Sequence, residues 1–336
     1  MSNFLKKLIA KENLSHNEMT DLMQSIMSGG LSPNYVSAVL TALSIKGETI
    51  DEISAAAQVL RDNLTPVDLD DDVVDTCGTG GDGLKTFNIS TCASFVAAGA
   101  GVRIAKHGGR SISSSSGSAD VLESLGVNVS IDNIKMKQLV DSIGIGFMFA
   151  PNFHPAMKHV APIRKDLGIR TIFNVLGPLA NPANAKRQVI GVFNKSLTSI
   201  FSEVLKKLES KKVLVVHGHD GMDEISMSGK TFISELDSDS GSITNYEIHP
   251  NDFGFNIEDN KHLFAFDVNA SKEIILKILN KENLPAKNIV LLNSAAIIYV
   301  AGFAHNLNDA IELAVKSIQD GSALNKLKEL VKESNE

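Results

Sequence analysis

Four glycines within six residues, Gly78-Thr79-Gly80-Gly81-Asp82-Gly83, follow the apolar start Val73-Val74 and run into Leu84-Lys85-Thr86-Phe87-Asn88-Ile89-Ser90-Thr91. Glycines allow tight backbone turns that present several N–H groups to one anion. A helix starting near Asn88 to Ser90 would add its positive end, and Thr86, Asn88, Ser90 and Thr91 add side-chain donors. The chemistry suggested is phosphate binding; the plain alternative is a Gly-rich turn. Gly78, Gly80 and Gly83 also fit the GxGxxG spacing of dinucleotide-binding oxidoreductases. That reading requires an acid at the end of the next strand. The sequence there is Ala105-Lys106-His107, and Asp82 would face a pyrophosphate.

Three further segments carry candidate chemistry. Lys106-His107-Gly108-Gly109-Arg110, followed by Ser111 to Ser118, combines two cations, three glycines (Gly108, Gly109 and Gly117) and a serine run. It reads as a flexible cradle for a polyanion, against the alternative of a solvated Ser/Gly loop. His217-Gly218-His219-Asp220-Gly221-Met222-Asp223-Glu224 follows an apolar run. Asp223 and Glu224 there could hold a hard cation through oxygen, or be two solvated acids on a turn. His217 and His219 alone are weak evidence for zinc. In the Pro- and His-rich segment from Ala150 to Arg164, helical spacing after Pro155 places Met157 and Val160 against the core. Arg164 could take a carboxylate by a two-point contact or be a solvated surface residue.

These segments need positioning elements. Phe4, Leu5, Leu8 and Ile9 form one apolar helical stripe. Ser15 and Glu18, then Thr49 and Glu52, read as capping boxes opening helices, while Ser32-Pro33 starts another. Gly29 and Gly30 stop the second helix. The Met-rich stripe of Met19, Met23 and Met27 reads as core packing rather than a partner groove. Pro66 and the acidic run from Asp68 to Asp72 mark a boundary. Beyond it, β-rich runs at 73–74, 102–105, 147–150, 189–192 and 213–216 alternate with helical stretches, which suggests parallel strands with crossover helices. Sites in such folds lie where strands end and helices begin.

The chain has 336 residues, of which 43% are hydrophobic, enough for a large core and two domains. A net charge of −7 argues against general nucleic-acid binding. Two cysteines, Cys77 and Cys92, outside any CxxC pair fit a reduced, cytoplasmic compartment. The N-terminus does not read as a signal peptide, and no apolar run is long enough to span a membrane.

The runs GTGGDGLKTFNIST, KHGGRSISSSSGSADVLESLG, FHPAMKHVAPIRKDLGIRTIFNVLGPLANP and VVHGHDGMDEIS, in this order, resemble the anthranilate phosphoribosyltransferase family over nearly the whole chain. The resemblance implies an α/β fold of the nucleoside phosphorylase/phosphoribosyltransferase type. A small helical domain over residues 1–68, completed by roughly 155–180, would precede a larger α/β domain over 69–336 with a mostly parallel central sheet. It implies transfer of the 5-phosphoribosyl group from phosphoribosyl pyrophosphate to anthranilate, the second step of tryptophan synthesis from chorismate. A homodimer joined through the helical domains is implied as well.

By position, the resemblance assigns phosphoribosyl pyrophosphate to Gly78, Gly81, Asp82, Thr86, Asn88, Ile89, Ser90 and Thr91. Its second wall runs through Lys106, His107, Gly108, Gly109, Arg110, Ser111, Ile112, Ser113, Ser114 and Ser118. Anthranilate falls to Gly78, Gly109 and Arg164. Two Mg2+ per subunit fall to Ser90, Asp223 and Glu224. His107 is expected to line the acceptor site, with no residue assigned as acid or base. The family usually reads KHGNR where this chain has Gly109, so the Asn that contacts anthranilate is missing. The nearest rivals are a nucleoside phosphorylase, which carries a different glycine loop, or another phosphoribosyltransferase of the same architecture with a different acceptor, and then a non-catalytic nucleic-acid-binding relative, which should show a basic face and a damaged acidic pair.

Overall fold

The structure, a computed structural model, describes residues 2–110 and 116–336. Its first four helices are α1 (Ser2–Ile9), α2 (His16–Met27), α3 (Pro33–Lys46) and α4 (Ile50–Asp62). Both expected capping boxes form. Ser15 Oγ accepts the Glu18 N–H at 3.3 Å while Glu18 Oε2 accepts the Ser15 N–H at 2.9 Å. The Thr49–Glu52 pair repeats this at 3.2 and 2.8 Å. Glu52 is buried and also takes Lys46 Nζ at 2.8 Å and the Leu14 N–H at 2.9 Å, so one carboxylate ties three segments together. Met19, Met23 and Met27 are core residues.

Seven strands follow: β1 (Val74–Gly78), β2 (Ile104–Gly108), β3 (Ile145–Phe149), β4 (Arg187–Gly191), β5 (Lys212–Gly218), β6 (Thr231–Asp237) and β7 (Ser242–Ile248). They form one sheet in the order β3-β2-β1-β4-β5-β6-β7. The pairs from β3 to β5 are parallel; β6 and β7 are antiparallel. The mostly parallel sheet is as expected, and the closing hairpin β6–β7 is an addition to it. β2 runs on through Lys106 and His107, so both sit buried on a strand rather than in a flexible loop. Ala150, expected to end a strand, opens a short helix instead.

Crossover helices cover the sheet: α5 (Ile89–Gly99), α6 (Ser118–Ser124) and α7 (Asn133–Ile143), then α8 (Ala150–Phe153), α9 (Ala161–Leu167), α10 (Phe173–Leu176) and α11 (Ser196–Lys207). The chain closes with α12 (Val268–Leu279), α13 (Ala286–Ala301), α14 (Leu307–Gln319) and α15 (Ser322–Asn335). α13 is apolar nearly all round and buried along most of its length, as a central helix must be. A 3-10 turn at Pro155–His159 replaces the regular helix expected after Pro155; Val160 is buried there and Met157 half-buried.

Alternation along β5 separates two cores. Leu214 and Val216 join the large core with α5 and α13, while Val213 and Val215 face the core shared by α1–α4, α11 and residues 160–180. β1 lies between β2 and β4, so the chain leaves β1 toward one side of the sheet and later returns on the other. The crevice beyond the ends of β1 and β4 is therefore a topological switch point, where open parallel sheets bind ligands.

Candidate active site

Gly78 ends β1 and pairs in register with Gly191 at the end of β4. Both must lack side chains. A Cβ on Gly78 would lie 2.3 Å from Asp223 Oδ2, and one on Gly191 would lie 1.5 Å from the Asp223 carbonyl oxygen. The acidic turn after β5 thus leans directly over the two central strands. The glycine loop meets it there, with the Gly80 N–H donating to Asp223 Oδ2 at 2.9 Å. Gly80, Gly81 and Gly83 all have positive φ, the conformation that turns backbone N–H groups inward at low steric cost.

Asp82, Asp223 and Glu224 bring carboxylate oxygens within 4.8 Å of one another. Burial, then the charge of Asp223, raises Asp82 to about 7. Burial and the same neighbours push Glu224 well above the usual carboxylate range, and its Oε2 is buried with no hydrogen-bond partner. An orphaned buried oxygen among mutually repelling acids suits an oxygen-preferring divalent cation. Asp82 enters this group from the glycine loop, a placement that sequence spacing does not reveal.

Lys106 points from β2 into the same corner. Its Nζ donates to the Thr76 carbonyl and to Ser90 Oγ at 3.3 Å. Burial pulls this ammonium down, while Asp75, Glu224 and Asp223 act against that. Ser90 and Thr91 lie in the first turn of α5, and Thr91 Oγ1 is buried without a partner. Ile89 is fully buried, and its N–H donates to the Phe87 carbonyl at 2.7 Å. Thr86 is held in a short bridge with Phe264.

Two expected phosphate donors are engaged elsewhere. The Asn88 amide donates to the Ser116 carbonyl at 3.2 Å, and its oxygen accepts from Ser116 Oγ and Ser271 Oγ, both at 2.8 Å. Arg110 pairs with Asp120 at 2.9 Å and with Glu123 at 2.6 Å, with its guanidinium 5.3 Å from the Phe149 ring centroid. Ser118 Oγ donates to the Gly109 carbonyl at 3.4 Å, and its Oγ fills the space a Cβ on Gly108 would need. Ser111, Ile112, Ser113 and Ser114 lie outside the described residues.

The residues expected on the acceptor side come from β2 and from residues 150–180. His107 and His154 face each other with Nε2 atoms 3.1 Å apart. Burial lowers His107 to about 4 and His154 to about 3, so both are neutral at physiological pH. The His107 N–H donates to buried Asp75 at 3.0 Å. Arg164, on α9, is half-buried with its guanidinium 5.6 Å from the Phe173 ring centroid, and burial lowers its pKa. Arg170, given no role by the sequence, donates to the Gly81 carbonyl and lies 4.1 Å from the Phe193 ring centroid. Its own carbonyl accepts Ser44 Oγ from α3 at 3.0 Å, so it joins the helical half to the glycine loop.

Residues 70–324 match the glycosyl transferase family a/b domain, and residues 2–64 match that family's helical bundle domain. The chain is 51% identical to the anthranilate phosphoribosyltransferase of Nitrosospira multiformis, over 98% of this chain and 95% of that protein. It belongs to the anthranilate phosphoribosyltransferase family. Solved members of the family share its fold. The anthranilate phosphoribosyltransferase of Thermus thermophilus superposes with a TM-score of 0.93 at 36% identity, covering 99% of both chains. That of Saccharomyces cerevisiae, solved in complex with PRPP and Mg, gives 0.91 at 29% identity, covering 99% of this chain and 97% of its own. The helical bundle followed by a larger α/β half is thus the family fold.

Proposed function

We propose that the crevice beyond β1 and β4 is where the chain carries out its family's reaction, with the glycine loop and acidic corner on the polyphosphate and residues 150–180 on the acceptor. The chain transfers the phosphoribosyl group from phosphoribosyl pyrophosphate to anthranilate, a step of tryptophan biosynthesis. The observation that carries the site is the convergence of Asp82, Asp223 and Glu224 against the glycine loop at the switch point.

Phosphoribosyl pyrophosphate is held by Gly78, Gly81, Asp82, Thr86, Ile89, Ser90 and Thr91, with Lys106 to Gly109, Ser111 to Ser114 and Ser118 as the second wall. Asn88 and Arg110, paired within the protein, act on this wall's shape unless the ligand draws them away. Magnesium, at two ions per subunit, is held by Asp223, Glu224 and Ser90, with Asp82 beside them; when bound it supplies Lewis-acid stabilisation to the leaving pyrophosphate. The loop amides, the start of α5 and the Lys106 ammonium are fixed before the reaction and face the same leaving oxygens. The bond from the ribose anomeric carbon to pyrophosphate breaks as the anthranilate nitrogen bonds to that carbon, and the nitrogen gives up a proton to the released pyrophosphate or to water. A neutral aromatic amine is nucleophilic enough to need no obligatory base. Arg164 takes the anthranilate carboxylate, and Gly78 and Gly109 border the acceptor. Neutral His107, engaged with His154 and with the backbone at Gly177, lines the acceptor site without bringing a charge to it.

A homodimer through the helical half is supported by Ile9 and Ile45, which are 69% and 70% exposed on α1 and α3. A cytoplasmic location is consistent with the absence, among the described residues, of any helix long and apolar enough to cross a membrane. Arg164→Ala tests the acceptor assignment. The expected result is a KM for anthranilate raised on the order of tenfold or more, with that for phosphoribosyl pyrophosphate unchanged. Equal rises in both would place Arg164 outside the acceptor site.

A further inference from the structure

Asp220 lies three residues before the acidic pair and is half-buried. Its carboxylate has neutral partners throughout. Oδ2 accepts from Ser226 Oγ at 2.7 Å, Ser228 Oγ at 2.6 Å and Asn260 Nδ2 at 2.7 Å; Oδ1 accepts the Met222 N–H at 3.2 Å. Burial works to raise its pKa, and the bonds from Ser228, Asn260 and Ser226 outweigh that and keep it ionised.

The partners fall on both sides of the pair. Met222 precedes Asp223, within a turn closed by the Gly218 N–H to Met222 carbonyl bond at 2.9 Å. Ser226 and Ser228 follow Glu224. Gly218 leaves room for this arrangement, since a Cβ there would lie 2.5 Å from Asp220 Oδ1. One carboxylate therefore draws together the two ends of the segment that carries Asp223 and Glu224. The far end is fixed again by Asn293 on α13, which exchanges bonds of 3.0 and 2.9 Å with the backbone of Ile225.

Asn260 extends the connection to the glycine loop. Three residues beyond it, the Leu263 carbonyl accepts the Phe87 N–H at 2.8 Å, and the Ala265 N–H donates to the Lys85 carbonyl at 2.7 Å. Residues 263–265 thus strap down the outgoing arm of the loop that carries Asp82. Through Asn260, Asp220 sits between the two sources of the carboxylate cluster.

We infer that Asp220 is a positioning residue that sets the spacing of Asp223 and Glu224 against the glycine loop, and so sets the affinity of the divalent-cation site without touching the ion. The inference rests on the reading that Asp223 and Glu224 hold that cation. Residues that orient metal-binding groups typically change metal affinity ten- to a hundredfold when removed.

The test measures Mn2+ bound to the protein, from the loss of the free-ion paramagnetic resonance signal, with phosphoribosyl pyrophosphate equimolar to protein and no acceptor present. Wild type should bind Mn2+, and Glu224→Gln should abolish most of it. Asp220→Ala should weaken binding about tenfold or more. Asp220→Asn should stay within about threefold of wild type, because rotated hydroxyls and a turned Asn260 amide can still satisfy it. Ser228→Ala, which removes a single bond, should retain the fold and weaken binding by about threefold. Unchanged Mn2+ affinity in Asp220→Ala and Ser228→Ala would overturn the positioning role while leaving the metal site standing. An Asp220→Asn loss as large as that of Asp220→Ala would also overturn it, in favour of a purely electrostatic effect. Failure of wild type to bind Mn2+ would remove the metal reading itself, and this inference with it.

Discussion

A Cβ at Gly191 would fall 1.5 Å from the carbonyl oxygen of Asp223. The acidic turn can pack over the end of β4 because that strand ends in a residue without a side chain. Gly191 has no positive φ, so the backbone itself tolerates alanine and the conflict is purely one of space. Gly191→Ala should displace Asp223 and lower kcat/KM by about 100-fold, a barrier increase of about 3 kcal/mol. Steady-state kinetics beside a circular-dichroism spectrum will separate this from unfolding. Full activity would mean that the turn has slack the structure does not show.

The carboxylate cluster trades stability for function. Glu224 is half-buried beside two other acids and leaves one buried oxygen unbonded. Asp223→Asn and Glu224→Gln should each reduce kcat/KM on the order of a hundredfold. In metal-free buffer at pH 8, Glu224→Gln should also melt higher than wild type, because burial and the neighbouring acids disfavour the ionised carboxylate that the unfolded chain adopts at that pH, with a gain of roughly 1–3 kcal/mol. Thermal melts with and without Mg2+ check this. A lower melting temperature in metal-free buffer would contradict the electrostatic account.

At Gly109 an added Cβ meets nothing within 4 Å among the described residues. The backbone there accepts a side chain, since φ is not in the left-handed region. Gly109→Asn should lower the KM for anthranilate and leave that for phosphoribosyl pyrophosphate nearly unchanged. An unchanged or higher anthranilate KM would show that this position does not contact the acceptor here.

The buried histidine pair makes stability depend on pH. Burial lowers His107 to about 4 and His154 to about 3, below the value of about 6.5 they regain on unfolding. As pH falls through 6.5 the unfolded chain takes up protons first. Their contribution is therefore complete above that pH and shrinks toward pH 4, by up to about 1.4 kcal/mol per unit for each histidine. Urea titrations at pH 7.5 and 5.0 should show a smaller loss of stability in His154→Gln than in wild type. Equal losses would mean that the pair is not buried in neutral form.

What could be read from the sequence was local. Capping pairs such as Ser15 with Glu18, the glycine loop and the start of α5 depend on neighbours a few residues apart, and each formed. The family resemblance supplied the rest of the fold. Relationships between distant segments stayed hidden. Asp82 joins Asp223 and Glu224 only because β1 and β5 flank β4. Arg110 looked free to meet a polyanion until α6 placed Glu123 beside it. Asn88 sits at the helix start, yet Ser116 and Ser271 take its amide, and Ser271 is 183 residues away. Gly191 belongs to no loop motif, and its necessity appears only when Asp223 packs over it.

The most direct trial of the central claim follows anthranilate fluorescence. Purified protein, Mg2+ and phosphoribosyl pyrophosphate are mixed with anthranilate beside a panel of other aromatic amines. The fluorescence of anthranilate should disappear with release of one pyrophosphate per acceptor consumed, and should persist when either Mg2+ or the sugar donor is left out or when Asp223→Asn replaces wild type. Persistent anthranilate fluorescence in the complete mixture, or consumption that needs no Mg2+, would contradict the account.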